Sequence, residues 1–142
     1  MRSFLASRAT RVVGLDRSPA MLAAGDGGGL LGEAHRLPLR TGSFELVLCC
    51  RLLHHLDAEG VEQVVKELVR VSSGLVVVSF WSSSGVQGWR RRLGLRRDPE
   101  GRRPSPPGDL RATFEAYGAT VLGQATSLPG WSLQTFLLAS VS

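Results

Sequence analysis

Cysteine is almost missing from this sequence. Two occur, Cys49 and Cys50, and they are neighbours inside an apolar run. Adjacent cysteines are poorly placed to staple a fold, and one pair supplies too few ligands for a metal centre. A disulfide scaffold and a structural metal are therefore excluded as organising devices, and buried, reduced thiols are expected. Lysine is scarcer still, one among 17 basic residues. In a chain so rich in Ala and Gly, arginine in its place says little by itself about phosphate binding. Long apolar runs are absent too: none approaches the roughly 20 residues of a membrane span. The start, Met1 to Arg11, carries Arg2, Arg8 and Arg11 and has no apolar stretch fit for a secretory signal. The expectation is a cytoplasmic protein without a transmembrane segment.

What is present suffices for one compact domain. Apolar residues make up 43% of the 142, enough for a real core. Charge is unevenly placed. Seven arginines (90, 91, 92, 96, 97, 102 and 103) stand against Asp98 and Glu100 between Trp81 and Pro107, so this stretch alone accounts for the net +5. The whole of 1–142 is expected to form a single domain, with an Arg/Ser/Pro-rich loop at 81–108 inside it. That loop reads either as a solvated segment or as a holder of phosphate, carboxylate or single-stranded RNA.

Hydrophobic patterning predicts alternating strands and helices. Arg11 to Leu15 reads as a buried parallel strand ending at Asp16. Ser18 as N-cap and Pro19 in the first turn open a helix through Met21, Leu22 and Ala24, broken by Gly25 to Gly29. Leu30 to Glu33 fits a short strand, and Phe44 to Cys50 a buried one. From Ala58 to Val71, apolar residues at 61, 64, 65, 68, 69 and 71 follow helical spacing, with Ser72-Ser73-Gly74 as the stop. Leu75 to Phe80 is a third core strand. Asp109 to Tyr117 predicts a helix, and Thr120 to Gln124 and Ser132 to Val141 two closing strands. Strands alternating with helices imply an α/β sheet.

An acidic residue at a strand tip in such a sheet, here Asp16, is placed to accept from both hydroxyls of a ribose; a helix cap explains it equally well. The blocks that follow weigh in favour of the ribose. Val13-Gly14-Leu15-Asp16-Arg17-Ser18-Pro19-Ala20-Met21-Leu22 comes first. Next come Gly32-Glu33-Ala34-His35-Arg36-Leu37-Pro38-Leu39, then Gly42-Ser43-Phe44-Glu45-Leu46-Val47-Leu48-Cys49, and Leu53-His54-His55-Leu56. Glu67 to Gly74 then leads into an apolar strand. In order and spacing this closely resembles the type 11 branch of the class I S-adenosylmethionine-dependent methyltransferases, the branch that includes quinone-biosynthesis enzymes. The resemblance runs from about Arg11 to Phe80.

The resemblance implies an α/β fold: a Rossmann-like methyltransferase sheet, mostly parallel, with helices on both faces. It implies S-adenosyl-L-methionine as cofactor and methyl transfer to a small-molecule or lipid-like acceptor. Asp16 would bind the ribose hydroxyls, and Arg17 and Met21 would pack near the adenine. Glu33 would accept from the adenine amino group while the Ala34 backbone reads the ring edge. Cys49 would face the methionine part. Glu33 and Glu45 stand where the family has Asp, with charge kept. The family's first strand and its acidic, glycine-rich loop should precede Val13 by roughly 20 residues, the spacing of a dinucleotide fingerprint and its acidic partner. Met1 to Val12 holds no glycine, so the expected sheet is one truncated at its N-terminus, lacking that strand and the loop's backbone donors. Gly27-Gly28-Gly29-Leu30-Leu31-Gly32 spells the same pattern but follows a helix and leads into a strand, the reverse of the required context, and reads as a flexible turn.

His55 is the candidate catalytic residue, either as a base for a protonated acceptor or as a wall of the acceptor site. Against this stands a structural reading in which one of His54 and His55 caps the next helix and the other fills the core. Two other functional readings share parts of the pattern. One is a non-catalytic fragment serving as a binding module, and the other an RNA methyltransferase using the arginines, though no RNA-binding motif accompanies them. A nicotinamide oxidoreductase shares the logic of Asp16 but not the later blocks.

Overall fold

The computed structural model describes residues 7–24, 29–81, 107–126 and 134–141, which belong to two units, Met1–Pro38 and Leu39–Ser142. The arginine-rich stretch at 82–106 lies outside the described residues.

In the first unit, strand β1 (Gly14–Asp16) is followed by helix α1 (Pro19–Ala23) and strand β2 (Gly29–Leu31). β1 and β2 pair in parallel, with Gly14, Leu15 and Asp16 opposite Gly29, Leu30 and Leu31. The helix starts where sequence dictates: Ser18 accepts from the Met21 N–H through Oγ, and Pro19 fills the first turn, where its missing donor costs nothing. Leu22 packs back on β2, so closely that a side chain at Gly29 would meet it. Residues 29–31 of the glycine run are strand, so the short strand expected from Leu30 is present and the reading of the run as a flexible turn fails there. The correction has a simple cause: Leu30 and Leu31 find a ladder partner in β1, and Gly29 is the small residue that lets α1 lie over it.

The second unit contains β3 (Phe44–Cys49), a 3-10 turn (Leu53–His55), α2 (Ala58–Val71), β4 (Ser72–Trp81), α3 (Pro107–Ala116), β5 (Ala119–Thr126) and β6 (Gln134–Val141). Its sheet runs β3-β4-β6-β5. β3 and β4 are parallel, joined across α2, whereas β6 is antiparallel to both β4 and β5. The apolar stripe of α2 is buried at Val64, Val65, Leu68, Val69 and Val71 while Glu62 and Lys66 stay exposed. Val76, Val78 and Phe80 of β4 are buried beside their β6 partners Ala139, Leu137 and Thr135. Leu110 and Phe114 of α3 complete the core.

α2 ends at Val71, as the pattern predicts, but Ser72 to Gly74 form no loop: they are the first residues of β4. Ser72 Oγ accepts from the Gly74 N–H at 3.2 Å. The pairing Phe44 with Ser72 and Leu46 with Leu75 sets two β4 residues against Glu45 alone, a bulge. A Cβ at Gly74 would lie 2.6 Å from the Glu45 carbonyl oxygen, so only glycine permits this approach.

Candidate active site

Asp16 closes β1 at its carboxyl end, where ligands bind in open α/β sheets. Its carboxylate is held by one local bond, Oδ1 accepting from the Ser18 N–H at 2.8 Å. Its main-chain oxygen accepts from Gly32 N–H at 3.2 Å, which ties the strand tip to the end of β2. Among the described residues the second carboxylate oxygen accepts nothing, so the group keeps lone pairs for a diol while its orientation is fixed. Arg17 is exposed, and Met21 is 62% exposed.

Glu33 and Arg36 form the ends of a tight turn, with the Arg36 N–H donating to the Glu33 carbonyl at 3.2 Å. The Glu33 side chain is exposed and the half-buried Ala34 follows it. Among the described residues, neither the Glu33 carboxylate nor the Ala34 N–H is hydrogen-bonded. An unspent acceptor followed by an unspent backbone donor is the set that an adenine edge, amino group next to ring nitrogen, requires. All five of these residues belong to the first unit.

The second unit presents Cys49 and the turn after it. Cys49 is buried, and burial first, then its neighbour Cys50, push its thiol from 9.0 up to about 12. It is neutral and inert at ordinary pH. Cys50 is only half-buried, so the expectation of two buried thiols holds for one. Arg51 then takes a left-handed conformation, φ 62°, and its N–H donates to Ser79 Oγ at 2.9 Å. Leu53 is fully buried and His54 is 2% exposed, whereas His55 is exposed. The two imidazoles lie with centroids 4.0 Å apart, tilted by 44°. Asp57, not a histidine, caps α2 by accepting from the Gly60 N–H at 2.9 Å.

A family model described as a methyltransferase domain, type 11, matches residues 1–78. The chain belongs to this family. It is an S-adenosylmethionine-dependent methyltransferase domain, and no curated protein matches it at a significant level. Solved structures support the fold. The magnesium protoporphyrin IX methyltransferase of Synechocystis with bound SAH has a TM-score of 0.79 at 17% identity, over 97% of this chain and 67% of that one. A SAM-dependent methyltransferase of Methanosarcina mazei gives 0.78 at 16%, over 99% and 86%. One from Clostridium acetobutylicum gives 0.76 at 11%, over 99% and 79%.

Within this methyltransferase domain the core-filling histidine is His54, and the cap expected of the other is supplied by Asp57. His55 is left as the exposed member of the pair. No helix among the described residues is long and apolar enough to cross a membrane. The Arg51–Ser79 bond was not foreseen from sequence. A left-handed arginine leaves no sequence signal, but a serine following Val76-Val77-Val78 in a core strand is one.

Proposed function

We propose that the chain transfers a methyl group from S-adenosylmethionine to a small-molecule or lipid-like acceptor, in the cytoplasm. The observation that carries this reading is the Asp16 carboxylate at the tip of β1, anchored through one oxygen and open at the other. Asp16 accepts from the two ribose hydroxyls. Arg17 and Met21 pack near the adenine, Glu33 accepts from its amino group, and the Ala34 N–H donates to the ring. Cys49 meets the methionine part through the backbone at its strand end, since its thiol is buried and neutral.

S-adenosylmethionine, when bound, supplies an electrophilic methyl group on a sulfonium. In-line displacement needs little covalent help, so the chain's contribution is alignment and exclusion of water. His55 takes a proton from the acceptor when that acceptor is a protonated oxygen, nitrogen or carbon acid, and otherwise walls its site. The test is transfer of a labelled methyl group to a panel of phenols, quinols, amines and lipids. Transfer to at least one class, lowered about 100-fold or more by His55→Ala for a protonated nucleophile, is expected. No transfer to any class by a chain that binds S-adenosylhomocysteine would overturn the catalytic reading.

A further inference from the structure

We infer that Ser79 is a positioning residue: by holding Arg51 in its left-handed conformation, it sets the direction of the turn that carries His55. The inference rests on the reading that His55 faces the methyl acceptor. Three features of the second unit lead to it.

The first is the serine itself. Ser79 stands in β4 opposite Phe136, is 1% exposed, and follows three valines. A hydroxyl buried among apolar neighbours is unfavourable unless it is hydrogen-bonded. Its bond reaches 28 residues back along the chain, to a backbone N–H on the parallel neighbour strand's exit. The second is Arg51. A non-glycine residue at φ 62° is uncommon and is held there only when its surroundings demand it. Among the described residues, Arg51 is the only non-glycine residue with positive φ.

The third is where the strained residue sits. β3 ends at Cys49, and the 3-10 turn begins at Leu53. Between them the chain must change direction so that Leu53 and His54 enter the core while His55 stays outside. The turn's far end is fixed by the Asp57 cap and its middle by the burial of Leu53 and His54. The near end is fixed by the Ser79 bond. Without it, the Arg51 N–H would be partly buried with no acceptor, the left-handed conformation would lose its support, and the path into Leu53 would shift.

The test uses the full chain and its proton and nitrogen NMR spectra, followed at the His55 amide and imidazole and at the exchange rate of the Arg51 amide. Ser79→Ala is expected to move the His55 signals and speed Arg51 exchange about tenfold, what one ordinary hydrogen bond provides. Ser79→Thr retains the hydroxyl and should keep both near wild type. Arg51→Val leaves Ser79 intact but disfavours the left-handed region, so it should move His55 in the same way; Arg51→Gly should not. Phe114 and Tyr117 signals serve as the control for a global change. Should Ser79→Ala fail to fold, Arg51→Val, a change at an exposed position, decides alone. His55 signals unchanged in every folded variant of the disruptive pair would overturn the inference. A parallel titration of wild type with S-adenosylhomocysteine separates the two ideas. Absent binding with a displaced His55 contradicts the proposed function, while binding with an undisplaced His55 contradicts the role of Ser79.

Discussion

Asp16 does two things that a carboxylate can do at once: it closes a local turn with Ser18 and keeps acceptor sites for a ligand. The sequence left ribose binding and helix capping as rivals, yet the helix cap is Ser18, and the Asp16 bond to Ser18 orients the acid. His54 and His55 were not separable in advance. They are identical, adjacent side chains on a 3-10 turn, and the path of the turn, not their identity, decides that His54 is buried and His55 exposed. Cys49 gives a pH prediction. Its thiol is raised from 9.0 to about 12 by burial, so above pH 9 the unfolded chain loses a proton that the folded chain retains. Stability is therefore whole below pH 9 and falls as pH rises toward 12. Urea midpoints measured from pH 7 upward should decline in that window, less steeply in Cys49→Val. At pH 8, iodoacetamide should label Cys50 in the native protein and Cys49 only after unfolding, as mass spectrometry of the labelled peptides would report. Equal native labelling of both would contradict the burial.

At the scale of elements, α2 was legible to the residue from its six apolar positions at helical spacing, although its cap is Asp57 and not a histidine, with Glu59 in the first turn and Arg70 in the last. Arg70 also pairs with Glu67 at 2.7 Å and donates to the Leu39 carbonyl at 2.9 Å, fastening the approach to β3. The direct passage from α2 into β4 was not legible, since Ser-Ser-Gly has the composition of a loop. What makes it strand is long-range: the Glu45 carbonyl lies where a Gly74 side chain would be. Gly74→Ala should accordingly cost about 1–3 kcal/mol, because the obstacle is backbone and must move. Gly123→Ala, where nothing lies within 4 Å, should change stability by no more than about 0.5 kcal/mol. Urea denaturation of both variants checks the contrast, and equal effects would remove the bulge argument.

Over the whole molecule, stability rests mainly on the second unit, since none of the described residues of the first is fully buried. Phe114, which has no exposed surface, should cost about 3–5 kcal/mol when changed to Ala, read from the urea midpoint. Asp16, Arg17, Met21, Glu33 and Ala34 belong to the first unit, and Cys49 and His55 to the second. The family was legible because its motifs are short and local, whereas the positioning of His55 depends on a contact between residues 28 apart. The central claim is that Asp16 holds the cofactor, and an NMR titration with S-adenosylhomocysteine tests it most directly. Saturable binding by wild type, weakened in Asp16→Ala by about 1.5–3 kcal/mol, or roughly 10- to 150-fold, is the predicted result. Identical binding curves for the two proteins, or no saturable binding by wild type, would contradict it.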